Sequence, residues 1–418
     1  MNDNKSNRQN ISNIANRFIQ WQSVVTADGS TSTNATAGQG YFIDTTSANH
    51  TITLPSSPSI GDSIAIKDYA GTFATNNLTI GRNGSNIQGA AIDSLISSNR
   101  ASLTLVYVNS TRGWVYSKES NVGELVPTFI NATGGTVSTS GNFKIHTFTG
   151  DGCFVVSSVG NPLGGPNSVD YLVVAGGGGG SNGGGGAGGY RESSGAASGC
   201  YTASPLGSCV SALTVSATTY PITVGAGGTG SGCVSNPGSN SIFSTITSTG
   251  GGGQDDTAPD REGDSGGSGG GGGGNRSNSG GAGNTPPVSP PQGNNGGAGQ
   301  SPGPSFVGGG GGGGATAAGI PGMPGNTGNG GAGATSSING TPTGRAGGGG
   351  GTGDNRSPAW PGGAGGSGGG GDGGTPDSGG NTSGTNGTAN TGGGGGGKGV
   401  GSITSGGKGI VIIRYKFQ

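Results

Sequence analysis

The sequence predicts an all-β protein, with a β-sandwich or barrel module followed by a β-domain that carries a long glycine-rich insertion. Three observations support this prediction. Apolar and polar residues alternate between residues 24 and 120, which is the period of half-buried strands. Glycine is concentrated later, since 18 of the 106 glycines lie in residues 1–170 and the other 88 in residues 171–418. The chain nevertheless ends on the apolar, strand-like segment KGIVIIRYKF (408–417).

Composition excludes several classes of protein. The 418 residues include 18 Lys and Arg against 19 Asp and Glu, a formal net charge of −1, which gives no electrostatic attraction to nucleic acids or anionic membranes. The sequence has no run of about 18 apolar residues, so we expect no membrane insertion, and its polar N-terminus does not have the pattern of a signal peptide. Each glycine costs a helix about 1 kcal/mol relative to alanine, so the glycine-rich half is not expected to be helical.

Residues 1–23 form a distinct first segment. Four apolar residues are spaced by three, four and three positions, which places them on one face of a helix. These residues are Ile11, Ile14, Phe18 and Trp21. The pattern predicts a short helix that docks the chain to a partner or nucleates a trimer. The alternative is a frayed terminus, because isolated helices shorter than about 12–15 residues are marginal in water.

Residues 24–120 have the pattern of a module of short strands. Ile52 and Leu54 alternate with threonines, and SLTLVYV (102–108) is followed by the turn signal NSTRG (109–113) and a further strand. Several short β-branched strands separated by turns predict an antiparallel sandwich or barrel.

Residues 121–418 are expected to form one glycine-rich domain. Strand-like residues in 121–175, 210–250 and 400–418 would form its β framework, and 176–399 would be the insertion. The closing apolar segment needs a sheet to cover it, and its predicted partner is Tyr171–Ala175. This pairing would hold the two ends of the insertion together.

Within the insertion, glycine occurs mainly in runs of four to seven, such as Gly269–Gly274, Gly308–Gly314 and Gly392–Gly397. Composition alone is typical of a flexible linker. Runs also suit polyglycine II, an extended helix with three residues per turn, in which neighbours without side chains pack closely and bond through their backbones. Glycine at every third position from Gly319 to Gly331 would then suit an outer helix with its glycines facing inward.

Motifs that could indicate an enzyme or a metal site are weak. GGGGGGKG (392–399) matches part of a P-loop, but Gly399 occupies the position of the magnesium-binding Ser or Thr. His50 and His146 lie in strand patterns without metal-ligand spacing, and both are expected at surface or half-buried positions. We therefore predict no catalytic residues, no cofactor and no zinc site.

Two further features leave alternatives open. The acidic segment DDTAPDREGD (255–264) is either a calcium-binding loop or a solvated loop, and it lacks the established calcium-loop spacings. Cys200 and Cys209 could form a local disulfide, whereas free thiols are expected for all four cysteines in a reducing cytosol.

The segments between glycine runs contain the candidate binding residues. Large side chains are rare there, and exposed aromatic and Arg residues are typical of carbohydrate and protein contacts. The candidates for receptor contact are Trp360, Arg356, Phe306 and Arg345. In the alternative interpretation, Trp360 and Phe306 cap the ends of the glycine bundle. Tyr190 and Arg191 are weaker candidates.

Two groups of motifs resemble phage fibre proteins. YFIDTTSANHTITLPSSPSIGD (41–62) and IKDYAGTFATNNLTIGRNGSNI (66–87) resemble a β-module of cyanophage and other marine phage tail-fibre-like proteins. Four further segments are similar to the glycine-rich domain of phage fibres and adhesins. They are DYLVVAGGGGG (170–180), GGAGGYR (185–191), ITVGAGG (222–228) and KGIVIIRY (408–415).

The resemblance implies a homotrimeric virion protein without enzymatic activity. Its N-terminus would attach to other phage structural proteins, and its glycine-rich head would contact a glycan or protein on the host cell. A decorative fibre on the capsid surface is an alternative within the same class. A depolymerase would instead need paired carboxylates in a groove, and an ice-binding protein a flat, regular Thr- or Gly-based face.

Overall fold

A computed structural model describes residues 19–121, 127–161, 164–199, 201–231, 234–254, 261–274, 278–303, 306–323, 328–353, 360–376 and 382–418. The chain divides into two compact units, Met1–Leu125 and Val126–Gln418. The division lies a few residues after the predicted boundary at 120/121. Apart from one 3₁₀ turn, Pro205–Gly207, the regular elements are β-strands, so the predicted all-β class is confirmed.

The described residues of the first unit, 19–121, form ten strands in two sheets. The strands are β1 (Gln20–Trp21), β2 (Val25–Thr26), β3 (Ser32–Asn34), β4 (Gln39–Asp44), β5 (His50–Thr53), β6 (Ser63–Asp68), β7 (Leu78–Gly81), β8 (Ser94–Ile96), β9 (Ala101–Asn109) and β10 (Gly113–Asn121). One sheet has the order β1-β4-β6-β9-β10, with β2 also on β4, and the other has the order β3-β5-β7-β8. Ile43 and Leu105 from the first sheet and Ile52 from the second share one buried core.

The expected antiparallel arrangement is wrong for much of this unit. From β2 to β7 the chain alternates between the two sheets, and β3-β5-β7 and β2-β4-β6 pair in parallel. Parallel neighbours need a crossover connection, and here each crossover passes through a strand of the opposite sheet. Equivalent residues consequently stack in register, as Ile52 does on Ile80. The described residues form a two-sheet sandwich and no closed barrel.

The predicted N-terminal helix is wrong at the one site residue that the structure describes. Trp21 belongs to the edge strand β1, which pairs in parallel with β4. Its ring stacks on Phe42 at 4.5 Å and covers Gly40, where a Cβ atom would lie 2.7 Å from the ring. The pairing and the stack therefore favour an extended conformation over a helix. Ile11, Ile14 and Phe18 lie outside the described residues.

The second unit contains the other strands. They are β11 (Asn131–Thr133), β12 (Thr136–Ser140), β13 (Phe143–Phe148), β14 (Gly152–Ser158), β15 (Ser168–Val174), β16 (Tyr190–Glu192), β17 (Leu213–Thr214), β18 (Thr219–Thr223), β19 (Gly230–Ser231), β20 (Val234–Ser235), β21 (Ser241–Phe243), β22 (Ile246–Ser248), β23 (Gln300–Gly303), β24 (Phe306–Gly308), β25 (Ala334–Ser336), β26 (Thr343–Arg345) and β27 (Ile410–Lys416). Two larger sheets, β11-β14-β18-β21-β22 and β12-β13-β27-β15-β16 with β17 on β15, form the framework.

The closing strand β27 lies inside the framework. It pairs with β15 from Asp170↔Arg414 to Val174↔Ile410, which confirms the predicted pairing, and with β13 on its other side. Both faces of β27 are buried, because Val411 and Ile413 contact the other framework sheet and Ile412 contacts the glycine-rich part. The strand therefore joins the ends of the insertion to both layers.

The described glycine-rich segments between residues 176 and 409, called the glycine bundle below, form a regular hydrogen-bonded structure. In the central segment, 183–189, the N–H groups of three successive residues donate to three different neighbouring segments. Residues three apart donate to the same segment. The N–H groups of Gly184 and Ala187 donate to Gly310 and Gly313, those of Gly185 and Gly188 to Gly395 and Gly392, and those of Gly186 and Gly189 to Gly252 and Thr249. A repeat of three residues is that of polyglycine II, so the structure confirms the predicted helices.

The central segment is surrounded on all sides by similar helices. It donates hydrogen bonds to segments around 310, 394 and 251, and it accepts them from Gly178, Gly271 and Gly349 in three other segments. Six hydrogen-bonded neighbours correspond to hexagonal packing. A Cβ atom on Gly184, Gly185 or Gly186 would lie 2.1–2.3 Å from a neighbouring carbonyl oxygen. These three positions therefore require glycine because the backbones themselves are the packing surface, whereas the buried Ala187 packs in an apolar cluster with framework residues.

Outer segments of the bundle follow a different pattern. Gly319 and Gly322 are buried, and Ile320 and Met323 between and after them are exposed. Gly319 and Gly322 donate to Asn295 and Ala298 of the adjacent segment. Residues 319–323 therefore form an outer helix with its glycines inward, as predicted for this stretch. Residues 328–331 belong to the adjacent outer segment, because Ile320 N–H donates to the Asn329 carbonyl, so the expectation of a single helix from Gly319 to Gly331 is wrong.

Candidate functional site

One end of the glycine bundle lies away from the β framework. The chain leaves β15, passes through residues 175–180, turns at Ser181–Gly183 and returns through the central segment to β16. Because β15 and β16 are paired, with Val174 opposite Tyr190, the turn at Asn182 lies at the opposite end of these helices. We call this end the tip.

Polar side chains close the tip. Gln254 is fully buried, and its Oε1 accepts hydrogen bonds from the N–H groups of Asn182 (2.8 Å) and Gly183 (3.3 Å). Thr352 donates its N–H to the Asn182 carbonyl and its hydroxyl to the Ser181 carbonyl. These bonds satisfy the backbone groups that have no neighbouring helix at the end of the bundle, so the tip has a fixed shape.

One of the predicted receptor-contact residues, Trp360, lies beside Gly353, which follows Thr352 of the tip. Arg356 lies outside the described residues. Trp360 is half-buried, and its carbonyl oxygen lies so close to Gly353 that a Cβ atom there would be only 2.3 Å away. Gly353 in turn donates to Gly374, beside the last turn of the bundle. This position is compatible with both a contact role and a capping role for Trp360.

The other two receptor-contact candidates are Phe306 and Arg345. Phe306 is in β24, which pairs with β23, and its side chain lies outside the described part of the structure. The prediction for Arg345 is wrong, because this side chain is only 4% exposed and lies at the framework end of the bundle. Strand β26 pairs with β25 there, and Glu192 is the nearby carboxyl group that acts electrostatically on Arg345.

Arg345 belongs to a buried polar cluster that the sequence analysis did not identify. The Glu192 carboxylate accepts hydrogen bonds from the Tyr190 hydroxyl (3.0 Å), the Ser204 N–H (2.9 Å) and the Ser336 hydroxyl (2.5 Å). Burial raises the pKa of Glu192 and lowers the pKa of Arg345. The cluster fixes β16, the 3₁₀ turn and β25 to each other. Tyr190 is 1% exposed and is part of this framework.

Polar side chains on the outer helices accept hydrogen bonds from backbone N–H groups of adjacent segments. The Thr385 hydroxyl accepts a hydrogen bond from Asp372 N–H (2.7 Å), and the Asp372 carboxylate accepts one from Gly365 N–H (2.8 Å). Asn386 and Asn329 likewise accept from the backbone of adjacent segments. These side chains satisfy N–H groups that no neighbouring helix reaches, which explains the abundance of Asn, Thr and Asp between the glycine runs.

The motifs associated with enzymes and metals are part of the scaffold. The P-loop-like segment is a bundle helix, in which Gly394, Gly395 and Gly396 donate to Gly347, Gly178 and Thr385 of three other segments. The described residues contain no group of three His, Cys, Asp or Glu arranged to hold a metal ion, and 255–260 of the acidic segment lies outside them. Cys153 and Cys209 are exposed free thiols, so Cys209 does not form the local disulfide considered above.

The expected exposure of both histidines is wrong. His50 is 3% exposed and His146 is fully buried, because each lies on the face of its sheet that packs against a second sheet. His146 Nδ1 lies 2.6 Å from the Gly134 carbonyl, which can only accept, so Nδ1 carries the proton. Nε2 then accepts from the Tyr415 hydroxyl at 3.0 Å. Burial lowers the pKa of His146, which holds it neutral.

We expect acid to destabilise the second unit through His146. Its pKa in the folded state is below the usual value of about 6.5, so its contribution to stability is complete above pH 6.5 and is lost as the pH falls through the lower folded value. Denaturant unfolding at pH 7 and pH 5 should show a larger loss of stability for the wild type than for His146→Gln. Equal losses in both proteins would contradict this assignment.

None of the helical segments in the described part of the chain has the length and hydrophobicity needed to cross a bilayer. No curated protein sequence matches the chain. A family model described as a glycine-rich domain matches residues 155–416, which begin in β14 and end with β27. This match covers more than half of the chain and includes the whole glycine bundle. The protein therefore belongs to the glycine-rich domain family.

Proposed function

We propose that this protein is a phage fibre or adhesin located on the surface of the particle, and that the tip of its glycine bundle contacts the host cell. The observation that supports this most is the separation of the bundle's two ends. The framework end is joined to the rest of the chain through β15 and β27, whereas the tip is closed by Gln254 and Thr352. A rigid scaffold that holds connecting segments at a free end is a common arrangement for binding.

The binding partner in this proposal is a host cell-surface glycan or protein. Several copies of the chain on one particle would make many weak contacts, so avidity rather than one strong site would hold the phage to the cell. The N-terminal segment would attach each copy, as a homotrimer, to other phage structural proteins. The buried carboxylates of the head, such as Glu192, already have structural partners, so the proposal includes no enzymatic step.

A competition assay tests the proposal. Purified full-length protein, added to host cells before the phage, should reduce adsorption in a concentration-dependent way. Trp360→Ala should weaken this competition about tenfold if the indole is a contact residue. Tyr69→Ala provides the control, because Tyr69 is 60% exposed on the first unit, and it should compete like the wild type.

Absence of competition by the wild type would contradict host attachment and favour a decorative fibre on the capsid. Thermal unfolding of Trp360→Ala is measured in parallel. A lower midpoint with unchanged competition would show that the indole caps the bundle and is not a contact residue.

A further inference from the structure

The first unit contains a cavity that the proposed function does not use. It has a volume of about 350 Å³ and lies at one margin of the sandwich, between β8 at the edge of one sheet and β9 and β10 at the edge of the other. The Tyr116 hydroxyl donates a hydrogen bond to the Ser94 hydroxyl at 2.6 Å and links the two sheets there. This volume lies within the range of sites that bind small ligands.

A β-bulge determines which side chain of β10 faces the cavity. Tyr116 of β10 lies opposite Leu105 of β9, and the register then shifts by one residue. Glu119 consequently lies opposite Leu103, a position that uninterrupted pairing would have given to Lys118. Residues paired directly across two strands share a face of the sheet, and Leu103 is buried in the core of the unit. The Glu119 carboxylate is therefore on the inner face of β10.

The described residues that line the cavity offer three kinds of group. Leu103 and Ile96 provide an apolar floor that is continuous with the core. Five lining residues carry hydroxyl groups, namely Ser94, Ser98, Ser102, Ser120 and Tyr116. Glu119 is the one charged residue among them, and it is accessible to solvent. A ligand that matches this lining has several hydrogen-bonding groups as well as an apolar face.

We propose that this cavity binds a neutral saccharide. Serine hydroxyls both donate and accept hydrogen bonds, as sugar hydroxyls do, and the Glu119 carboxylate can accept from two of them. The apolar floor and the Tyr116 ring suit the C–H groups of a pyranose ring. An acidic ligand would be repelled by Glu119. A simple cation would leave the hydroxyl donors of the cavity without acceptors.

The hydrogen bond between the sheets prepares the cavity for such a ligand. Burial raises the pKa of Tyr116, and the nearby charge of Glu119 raises it further, so the Tyr116 hydroxyl keeps its proton and donates it to Ser94. The Ser94 hydroxyl then has its own hydrogen available for an acceptor on the ligand. One donor of the cavity is thus held in place before the ligand arrives.

The bulge itself favours a ligand over a purely protective role for the charge. An inward-pointing charge on an edge strand also discourages pairing with strands of other proteins. Lys118 would supply such a charge if β10 paired without the bulge, so protection alone does not explain the shift. The bulge brings an acceptor to the hydroxyl-lined cavity instead of a donor. Bulges commonly redirect a side chain beside a functional site.

Saturation-transfer difference NMR on the full-length protein tests the proposal. Lactose, maltose and N,N′-diacetylchitobiose are titrated separately at millimolar concentration, and at least one should receive saturation from the protein. Glu119→Gln should weaken its affinity about tenfold, as expected for the loss of hydrogen bonds to a charged acceptor. Lys118→Gln is the matched control, because it changes the adjacent residue on the other face of β10, and it should bind like the wild type.

Two further measurements narrow the assignment. Tyr116→Phe removes the hydroxyl that orients Ser94 and should also bind the disaccharide more weakly. Glucuronic acid, which carries a carboxylate, should receive no saturation from the wild type, because Glu119 repels it. Thermal unfolding of each variant checks that the first unit is still folded.

Any of three results would overturn the proposal. They are the absence of saturation for all three disaccharides, equal affinities of wild type and folded Glu119→Gln, and binding of glucuronic acid as strong as that of the neutral sugars. The inference does not depend on the proposed host attachment, because the cavity belongs to the first unit and the tip to the second. Failure of the wild type to compete with phage for adsorption concerns the tip and leaves the cavity unaffected.

Discussion

Gly185→Ala should unfold the glycine bundle. The added methyl carbon would lie 2.1 Å from the carbonyl oxygen of Gly178, which is a backbone atom of a helix packed on several sides. Relief requires the two helices to separate, which breaks hydrogen bonds such as Gly178 N–H to Gly186 O and Gly185 N–H to Gly395 O. Overpacking and unsatisfied buried backbone groups together should cost about 3–5 kcal/mol of unfolding free energy.

Gly344→Ala is the matched control within the same unit. A Cβ atom added to Gly344 would lie 3.4 Å from its nearest neighbour, the Gly368 Cα, which is ordinary van der Waals contact. The backbone at Gly344 is not left-handed. Denaturant unfolding should place this variant within about 1 kcal/mol of the wild type. Equal, small effects of both substitutions would show that the interior helices are not in close contact.

Glu192→Ala should have the second largest effect. The change removes the acceptor shared by Tyr190, Ser204 and Ser336, and it leaves the buried Arg345 without the nearby carboxylate. Removing one member of a buried charged group typically costs about 3–5 kcal/mol, because the other charge remains desolvated. The midpoint of thermal unfolding should fall strongly.

The control for this prediction is Glu262→Ala, which removes an exposed carboxylate from an outer segment of the bundle. We expect its effect to be within about 0.5 kcal/mol. Should Glu192→Ala be as stable as Glu262→Ala, the cluster at the framework end would not hold β16 and β25 together.

The arrangement of glycine in the sequence predicted much of the bundle. The runs around Gly269–Gly272 and Gly309–Gly314 are interior helices, because a side chain at these positions would meet a neighbouring backbone. Glycine at every third position marks an outer helix, because only one of its three faces meets the bundle. The rule fails for Gly368–Gly371, where Gly368 and Gly369 have φ of +98° and +96° and belong to a turn.

Other features depend on contacts between distant residues, which local patterns do not contain. Alternation of apolar and polar residues is the same for parallel and antiparallel strands, so the stacking of Ile52 on Ile80 was not predictable. Arginine is usually found at the surface, but Arg345 is buried close to Tyr190 and Glu192, which lie far from it in the sequence. The sequence also does not show which glycine runs are neighbours in the bundle, because all runs have the same chemistry.

The same limit applies to the candidate site. Trp360 was identified because large side chains are rare in the insertion, and the structure places it beside Gly353. Gln254 was not identified, because its role depends on the turn at Asn182, 72 residues away. The role of polar residues such as Thr385, which complete the hydrogen bonds of the outer helices, likewise depends on which segments are neighbours.

Amide hydrogen exchange tests the central claim most directly, namely that the glycine-rich half is a hydrogen-bonded bundle. Peptides that cover 183–189, 269–273, 309–314, 347–353 and 392–397 contain the N–H groups bonded to neighbouring helices. We predict that these peptides exchange far more slowly than an unstructured chain and lose their protection together in Gly185→Ala. Exchange at random-coil rates in these segments of the wild-type protein would contradict the bundle.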